Sequence, residues 1–428
     1  MVKQENSDEA EAVAHPLLQD LKSLEGQNSS SSEKVASFSG AVFNISTTMI
    51  GAGIMSIPAT IKVLGIVPGF ILILLVALVG EVTLEFLLSY TNSGESSTYA
   101  GMVGESFGPW GSIAVQICAI ITNLGSLIIY FIIIGDVLCG SQSEGTLHLG
   151  ILQEWFGIHW WNSRAYALLF IALFVMLPLV LLRRVDSLRH TSAVSILLAV
   201  VFVVICSAMA IYALCKGKTQ KHETISGFCT SSLIHPIRAE LGKPSDMGSA
   251  ARISLVISII IYFSIGFFGY LLFGDSVMDD ILVNFDQSSD STIGQIINGI
   301  VRLSYAVHLL FVFPIMNFSL RANIDELLFP NKPILAQSTS RFLSLTFVLL
   351  SFTYIVAIAI PSIRYFFQFM RSITIVCLSF IFPAALILRD GHGISTRRDN
   401  IFALLVIILA VVTSSIAMST TLYNSAQS

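Results

Sequence analysis

The chain has 428 residues, of which 54% are hydrophobic and only 12% charged, and its mean hydropathy is +0.80. That composition belongs to a polytopic helical membrane protein. The net charge of −4 is small and spread over loops without a long basic run, which removes the electrostatic case for a nucleic-acid partner.

Residues 1–39 are rich in Glu, Asp, Gln and Ser, end near SSSSEK and contain no apolar core of a signal peptide. They read as a disordered cytoplasmic tail. Its HPLLQD at 15–20 resembles an acidic dileucine sorting signal, but Glu11 lies too far upstream, and chance accounts for the match better. Residues 40–424 form the transmembrane domain.

At about 20 apolar residues per crossing, spans fall near 40–63, 67–90, 111–138, 164–182 and 191–215, then 252–274, 296–319, 341–360, 370–388 and 400–423. These are ten clear helices. Between them, 216–251 holds one short apolar piece, Ile225 to Ile237, which as a helix would reach only about 20 Å of a roughly 30 Å hydrocarbon core. It cannot span alone.

Loop charge tests this count, because Lys and Arg accumulate on the cytoplasmic side of short loops. RRVDSLRH at 183–190 should be cytoplasmic, as should RANIDELLFPNK at 321–332 and RDGHGISTRRD at 389–399, whereas the acidic DSVMDDILVNFDQSSD at 275–290 should lie on the other side. Ten crossings cannot satisfy all four. A span between Cys215 and Arg252 is therefore missing, short or abnormal.

The first span carries MIGAGIMSIPATIKVLG at 49–65, with Gly51, Gly53, Ser56 and Pro58 inside eight residues and Asn44, Ser46, Thr47 and Thr48 just before them. One Gly or Pro is a packing or kink device; this concentration points to local unwinding. Unwound backbone at membrane depth is tolerated where it faces protein or a water-filled cavity, and there free N–H groups and helix ends can hold a carboxylate or an ion.

FNISTTMIGAGIMSIPATIKVLG, IIIGDVL ending at 138, HPIRAEL at 235–241 and RLSYAVHLLFVFPI at 302–315 together resemble the amino acid/auxin permease family, in its plant vacuolar amino acid transporter branch, which is similar to the animal sodium-coupled neutral amino acid transporters. The resemblance covers nearly everything from residue 36 onward. It implies an all-α fold with a leucine-transporter-type inverted repeat of eleven helices, spans one to five mirrored by six to ten. It also implies an amino acid substrate held between broken helices one and six. Gly51, Ala52, Gly53 and Ile54 match the broken part of helix one, where backbone amides would receive the substrate carboxylate, and Tyr130 would line the site. Of the sixth helix only the end, Leu233 to Ile237, is recognisable, in agreement with the charge count.

Intramembrane ionisable residues are functional candidates by default. Glu81 and Glu85 lie at i and i+4 and can reach toward the interface or a neighbouring helix; Asp136 sits near a span end, where a structural role suffices. His308 is central in its span, and imidazole exchanges protons near neutral pH. Where the sodium-coupled relatives carry an Asn and a Thr as ion ligands, this chain carries Thr47 and Leu310. Leucine offers no oxygen, so a proton, or movement down a gradient, is expected rather than sodium, with Thr47 and His308 as the coupling-ion candidates.

The six cysteines lie far apart, with neither CxxC nor HExxH spacing, and no nucleophile constellation stands out. The expectation is an amino acid transporter of a vacuolar or other endomembrane, with the plasma membrane as the alternative, using no cofactor or metal and performing no catalysis. The rival reading is a shortened, non-transporting membrane sensor or partner of full-length subunits.

Overall fold

The structure, a computed structural model, describes residues 38–94, 96, 98–143, 146–182, 186–215, 247–285, 292–330, 335, 338–359, 373–391 and 393–427. The expected tail, its HPLLQD segment and the Ile225 to Ile237 piece lie outside them. The regular structure of the described residues is helical except for one antiparallel hairpin, β1 (Ser141–Ser143) with β2 (Thr146–His148). The helices are α1 (Phe38–Met49), α2 (Ile57–Leu64), α3 (Ile66–Ser93), α4 (Tyr99–Cys139), α5 (Ile151–Phe156), α6 (Arg164–Val180) and α7 (Arg189–Cys215). They are followed by α8 (Met247–Phe273), α9 (Ile281–Asn284), α10 (Thr292–Leu328), α11 (Thr339–Ala359), α12 (Ile373–Arg389) and α13 (Arg397–Gln427).

Among the described residues, seven helices are long and apolar enough to cross a membrane, or eight if the bent pair α1 and α2 is one span. The two remaining apolar helices, α6 and α12, are shorter. Both contain a π turn, Ala172–Met176 and Cys377–Ile381, and both have a proline just beyond it, Pro178 and Pro383. The cause is local: a proline cannot donate to the carbonyl four residues back, here Phe174 and Ser379, and the helix widens around that unpaired oxygen.

One expected loop is partly a helix. The segment 91–110 folds from Tyr99 as the start of α4 and breaks at Gly108, whose φ of 74° precedes Pro109. Its Gly-rich, polar sequence hides this. The segment is held by Tyr99, Ala100, Met102 and Val103, which bury against Leu378, Ala384, Leu386 and Ile387 of α12 and Ala403 and Val406 of α13. Thr98 caps it by accepting from the Gly101 amide at 3.0 Å.

Side-chain contacts fix which helix ends lie together. At one end, Ser254 of α8 donates to the Val42 carbonyl of α1, and Arg252 of α8 pairs with Glu81 (2.9 Å) and Glu85 of α3. There too Thr98 donates to Glu326 of α10, Arg321 donates to the Val180 carbonyl at the close of α6, and the Gly391 amide donates to Tyr90 of α3. At the other end, Lys62 donates to the Val277 carbonyl beyond α8, Arg164 pairs with Asp136 at 2.5 Å, and Arg302 pairs with Glu154 at 3.0 Å. The ends of α6, α10 and α12, which lead into RRVDSLRH, RANIDELLFPNK and RDGHGISTRRD, lie at the first end, and the described part of the acidic segment after α8 lies at the second. Exposed Trp155, Phe156, Trp160, Trp161 and Tyr166 cluster on the acidic end, and Trp110 lies toward the basic end, as an aromatic belt at each membrane–water interface requires.

Helix α7 leaves the basic end and, at 27 residues, rises about 40 Å to the acidic end. Helix α8 starts back at the basic end. The close of α7 and the start of α8 thus lie at opposite ends of the bundle, and the residues between Cys215 and Met247 lie outside the described ones.

Candidate functional site

The predicted weak point of the first span is where the helix breaks. Helix α1 stops at Met49, Gly51 is extended (φ −113°, ψ −163°), a 3-10 turn covers Ala52–Ser56, and α2 resumes at a 48° bend. The sequence dictates each step. Thr48 turns its hydroxyl back onto the Ile45 carbonyl (2.8 Å), competing with the helix, and Pro58 occupies the start of α2, where its missing N–H costs nothing.

A break frees carbonyls, and three successive ones are caught by side chains from distant helices. Tyr262 of α8 donates to Met49, His308 of α10 bonds Ile50 at 2.8 Å, and Tyr305 of α10 donates to Gly51 at 3.0 Å. The amides divide differently. Gly51 donates to Met49 (3.0 Å) and Ile54 to Gly51 (3.2 Å), so of the four expected carboxylate-binding amides, Ala52 and Gly53 stand at the open start of the 3-10 turn. Gly53 is exposed, and a side chain there would meet nothing within 4 Å. Ile54 is fully buried. Gly51 is the opposite of Gly53: a Cβ there would lie 2.8 Å from the hydroxyl of Tyr130, which is buried beside it on α4.

His308 has no exposed surface. Its Nε2 faces the Ile50 carbonyl, while Nδ1 lies 2.8 Å from both the carbonyl and the hydroxyl of Ser195 on α7. Ser195 Oγ also reaches the His308 carbonyl at 3.3 Å. Carbonyls only accept, so Nε2 must carry a proton, and Nδ1 has two satisfiable states. When it is bare, the Ser195 hydroxyl donates to it; when it is protonated, it donates to the Ser195 carbonyl and the hydroxyl turns to the His308 carbonyl. One imidazole thus joins α1, α7 and α10 in either state.

Thr47 is also fully buried, and its hydroxyl donates to the Ser192 carbonyl of α7 at 3.0 Å, one turn from Ser195. Thr47 and His308 therefore share the α1–α7 seam. Leu310 is buried on α10 and supplies no oxygen there. Glu81, Glu85 and Asp136 lie in the arginine pairs at the helix ends, away from the break. Sequence reasoning did not name Tyr262, Tyr305 or Ser195. Their signal was weak because each reads as an ordinary residue of an apolar helix until the fold brings it to an open carbonyl or to the imidazole.

Comparison with known proteins agrees with this architecture. The family described as transmembrane amino acid transporter protein matches residues 34–425. Amino acid transporter AVT6C of Arabidopsis thaliana is 52% identical over 416 residues, covering 92% of this chain and 96% of the relative; AVT6D of the same plant is 49% identical over 434 residues, covering 96% and 98%. Among solved structures, a manganese transporter of Eremococcus coleocola gives a TM-score of 0.59 at 12% identity, covering 90% of this chain and 86% of that one. A Na+-coupled sialic acid symporter in a substrate-bound outward-open state gives 0.52 at 10% identity, covering 90% of each. At these identities the structures establish a shared fold. The chain belongs to the transmembrane amino acid transporter family, as a multi-pass integral membrane protein.

Proposed function

We propose that this chain is a secondary transporter that moves amino acids across an endomembrane, the vacuolar membrane first among them, by alternating access, with the proton rather than sodium as coupling ion. The observation that carries the reading is His308, locked between the broken part of the first span and α7 with a hydrogen-bond arrangement available to both of its protonation states. Charging it where the helix breaks changes the electrostatics of the ground on which a substrate carboxylate would sit, and that links proton and substrate. The carboxylate would be received by the amides of Ala52 and Gly53 at the positive start of the turn, with Gly51, Ile54 and Tyr130 shaping the wall. Thr47 would help set the distance between α1 and α7.

Uptake of radiolabelled amino acids into proteoliposomes tests the coupling. His308→Ala should flatten the pH dependence of uptake, and replacing sodium by choline should leave uptake by the parent unchanged. A strict sodium requirement would overturn the assignment.

A second reading has its own support. The alignment with AVT6C runs over 416 positions yet takes in 92% of 428 residues, so about 22 positions of the relative have no counterpart here, close to the ~20 residues of one membrane crossing. AVT6D leaves a similar shortfall of about 23. A chain short of one span would lack half of a site built between two broken helices and would serve as a non-transporting sensor or partner of longer subunits. Uptake by this chain, set beside a version in which the missing length is restored from a relative, separates the two: transport by the restored version alone favours the second reading.

A further inference from the structure

Two of the six cysteines meet across the α4–α12 contact, on a stretch of α4 three turns before Tyr130. Helices α4 and α12 run antiparallel and touch on both arms of α4: beyond the break at Gly108, Thr122 and Thr374 share a hydrogen bond at 2.7 Å, and before it Tyr99 donates to the Leu378 carbonyl at 2.7 Å. Cys118 lies four residues before Thr122, and Cys377 lies three after Thr374, so one turn down α4 faces one turn up α12. The register set by Thr122 and Thr374 turns the two thiols toward each other there, within interaction range. Both are free thiols and both are partly exposed, in contrast to the buried Cys139 and Cys206.

The surroundings suit a bond that forms and breaks. Cys377 opens the π turn of α12, where the widened backbone lets a residue shift more easily than in a regular helix. Helix α12 also has a pivotal place. It packs on α3, which with α1, α2 and α8 forms one group of helices, and on α4, which with α6, α10 and α11 forms another.

We infer that Cys118 and Cys377 are a redox-sensitive pair that forms a reversible disulfide tying α4 to α12. Hydrogen peroxide is the oxidant by chemical class. The sulfur of one thiol attacks a peroxide oxygen, which gives a sulfenic acid and releases one water. The second sulfur then attacks the first, and hydroxide leaves with the second thiol's proton as another water. Two thiols lose two electrons and the peroxide gains them. A small dithiol reverses the reaction by exchange. The consequence for transport rests on the transporter reading: α12 bridges the two helix groups, and anchoring it to one of them would slow their relative motion.

The test uses the full chain in proteoliposomes, treated with hydrogen peroxide, blocked with N-ethylmaleimide and digested without reduction. The expected result is a cross-linked peptide joining Cys118 to Cys377. It should disappear on dithiothreitol treatment and be missing from Cys118→Ser and from Cys377→Ser. Amide exchange over 373–389 should slow on oxidation in the parent and stay unchanged in both variants. Uptake by the parent should fall severalfold on oxidation and recover on reduction, with Cys118→Ser insensitive. Recovery of both residues as maleimide adducts, or of sulfinic acid without a cross-link, overturns the pair. A cross-link without slowed exchange overturns the tie. A chain that takes up no amino acid before oxidation refutes the transporter reading, while the peptide and exchange measurements still decide the disulfide.

Discussion

Gly51 and Gly53 are two residues apart and required for opposite reasons. A Cβ at Gly51 would sit 2.8 Å from the Tyr130 hydroxyl, with the next ring carbon at 3.8 Å. Gly51→Ala should therefore lower the thermal stability of the purified chain by about 1–3 kcal/mol, the usual cost of overpacking. Gly51→Ala combined with Tyr130→Phe should recover most of that loss, because only the hydroxyl is in the way; a double variant no better than the single would show that the strain lies in the backbone. Gly53 faces open space, so Gly53→Val should leave folding and membrane insertion intact and cut uptake at least about tenfold, by filling the place of a ligand group worth ~1.4 kcal/mol or more. Unchanged uptake would mean that Gly53 does not face the substrate. At this scale the sequence was informative where one residue type is itself unusual in a membrane helix, as Gly51, Gly53 and His308 are. It was silent on Tyr262, Tyr305 and Ser195, since the carbonyl at Gly51 and the tyrosine that caps it are separated by 254 residues.

Periodicity and length located the helices well, because apolar runs near 20 residues have few alternatives. The expected span at 67–90 is α3 at Ile66–Ser93, and the one at 164–182 is α6 at Arg164–Val180. The misses follow from rules that act across elements. Tyr99 to Phe107 is a helix because α12 and α13 cover one of its faces, which no local pattern announces. The turn after α12 is similar. Asp390 takes the left-handed conformation (φ 47°) that ends the helix, and its carboxylate accepts the amides of Ile394 (2.8 Å) and Ser395 (3.0 Å). Those bonds, chiefly that of Ser395, hold the carboxyl below its ordinary value of 3.8. A group depressed in the folded state stabilises the turn above its unfolded value and loses that contribution as pH falls through the folded one. Amide exchange at Ile394 and Ser395, corrected for intrinsic rates, should accelerate on acidification through that window. Asp390→Asn should exchange fast at all pH values while the helix still ends in place, because Asn tolerates the left-handed conformation. An acid-insensitive exchange rate in the parent would remove the carboxylate from this role.

For the molecule as a whole, charge and packing make separate claims that agree. The end-to-end contacts put the loops after α6, α10 and α12 together with the start of α1, and they put the loop after α8 with the end of α2. The Lys and Arg bias asks for the same partition, each residue near an anionic cytoplasmic leaflet being worth about 1 kcal/mol. Packing and charge thus favour the same orientation for the second half of the chain, with the start of α8 on the side of the basic loops. The competing outcome is a chain that omits the crossing and inverts everything after α7. That would move the arginine-rich loops off the cytoplasmic side and break the pairs of Arg252 with Glu81 and Glu85 and of Lys62 with Val277, because their partners would lie on opposite faces. Cysteine-accessibility labelling in a background without native cysteines distinguishes the two. Ser276→Cys, exposed in the acidic loop, should react with an impermeant maleimide from the non-cytoplasmic side, and Thr396→Cys, exposed between α12 and α13, should react from the cytosol. The reverse pattern would mean that hydrophobic insertion alone sets the topology. It would also separate the α8 tyrosine from the carbonyl it caps at Met49, dismantling the site around the broken helix.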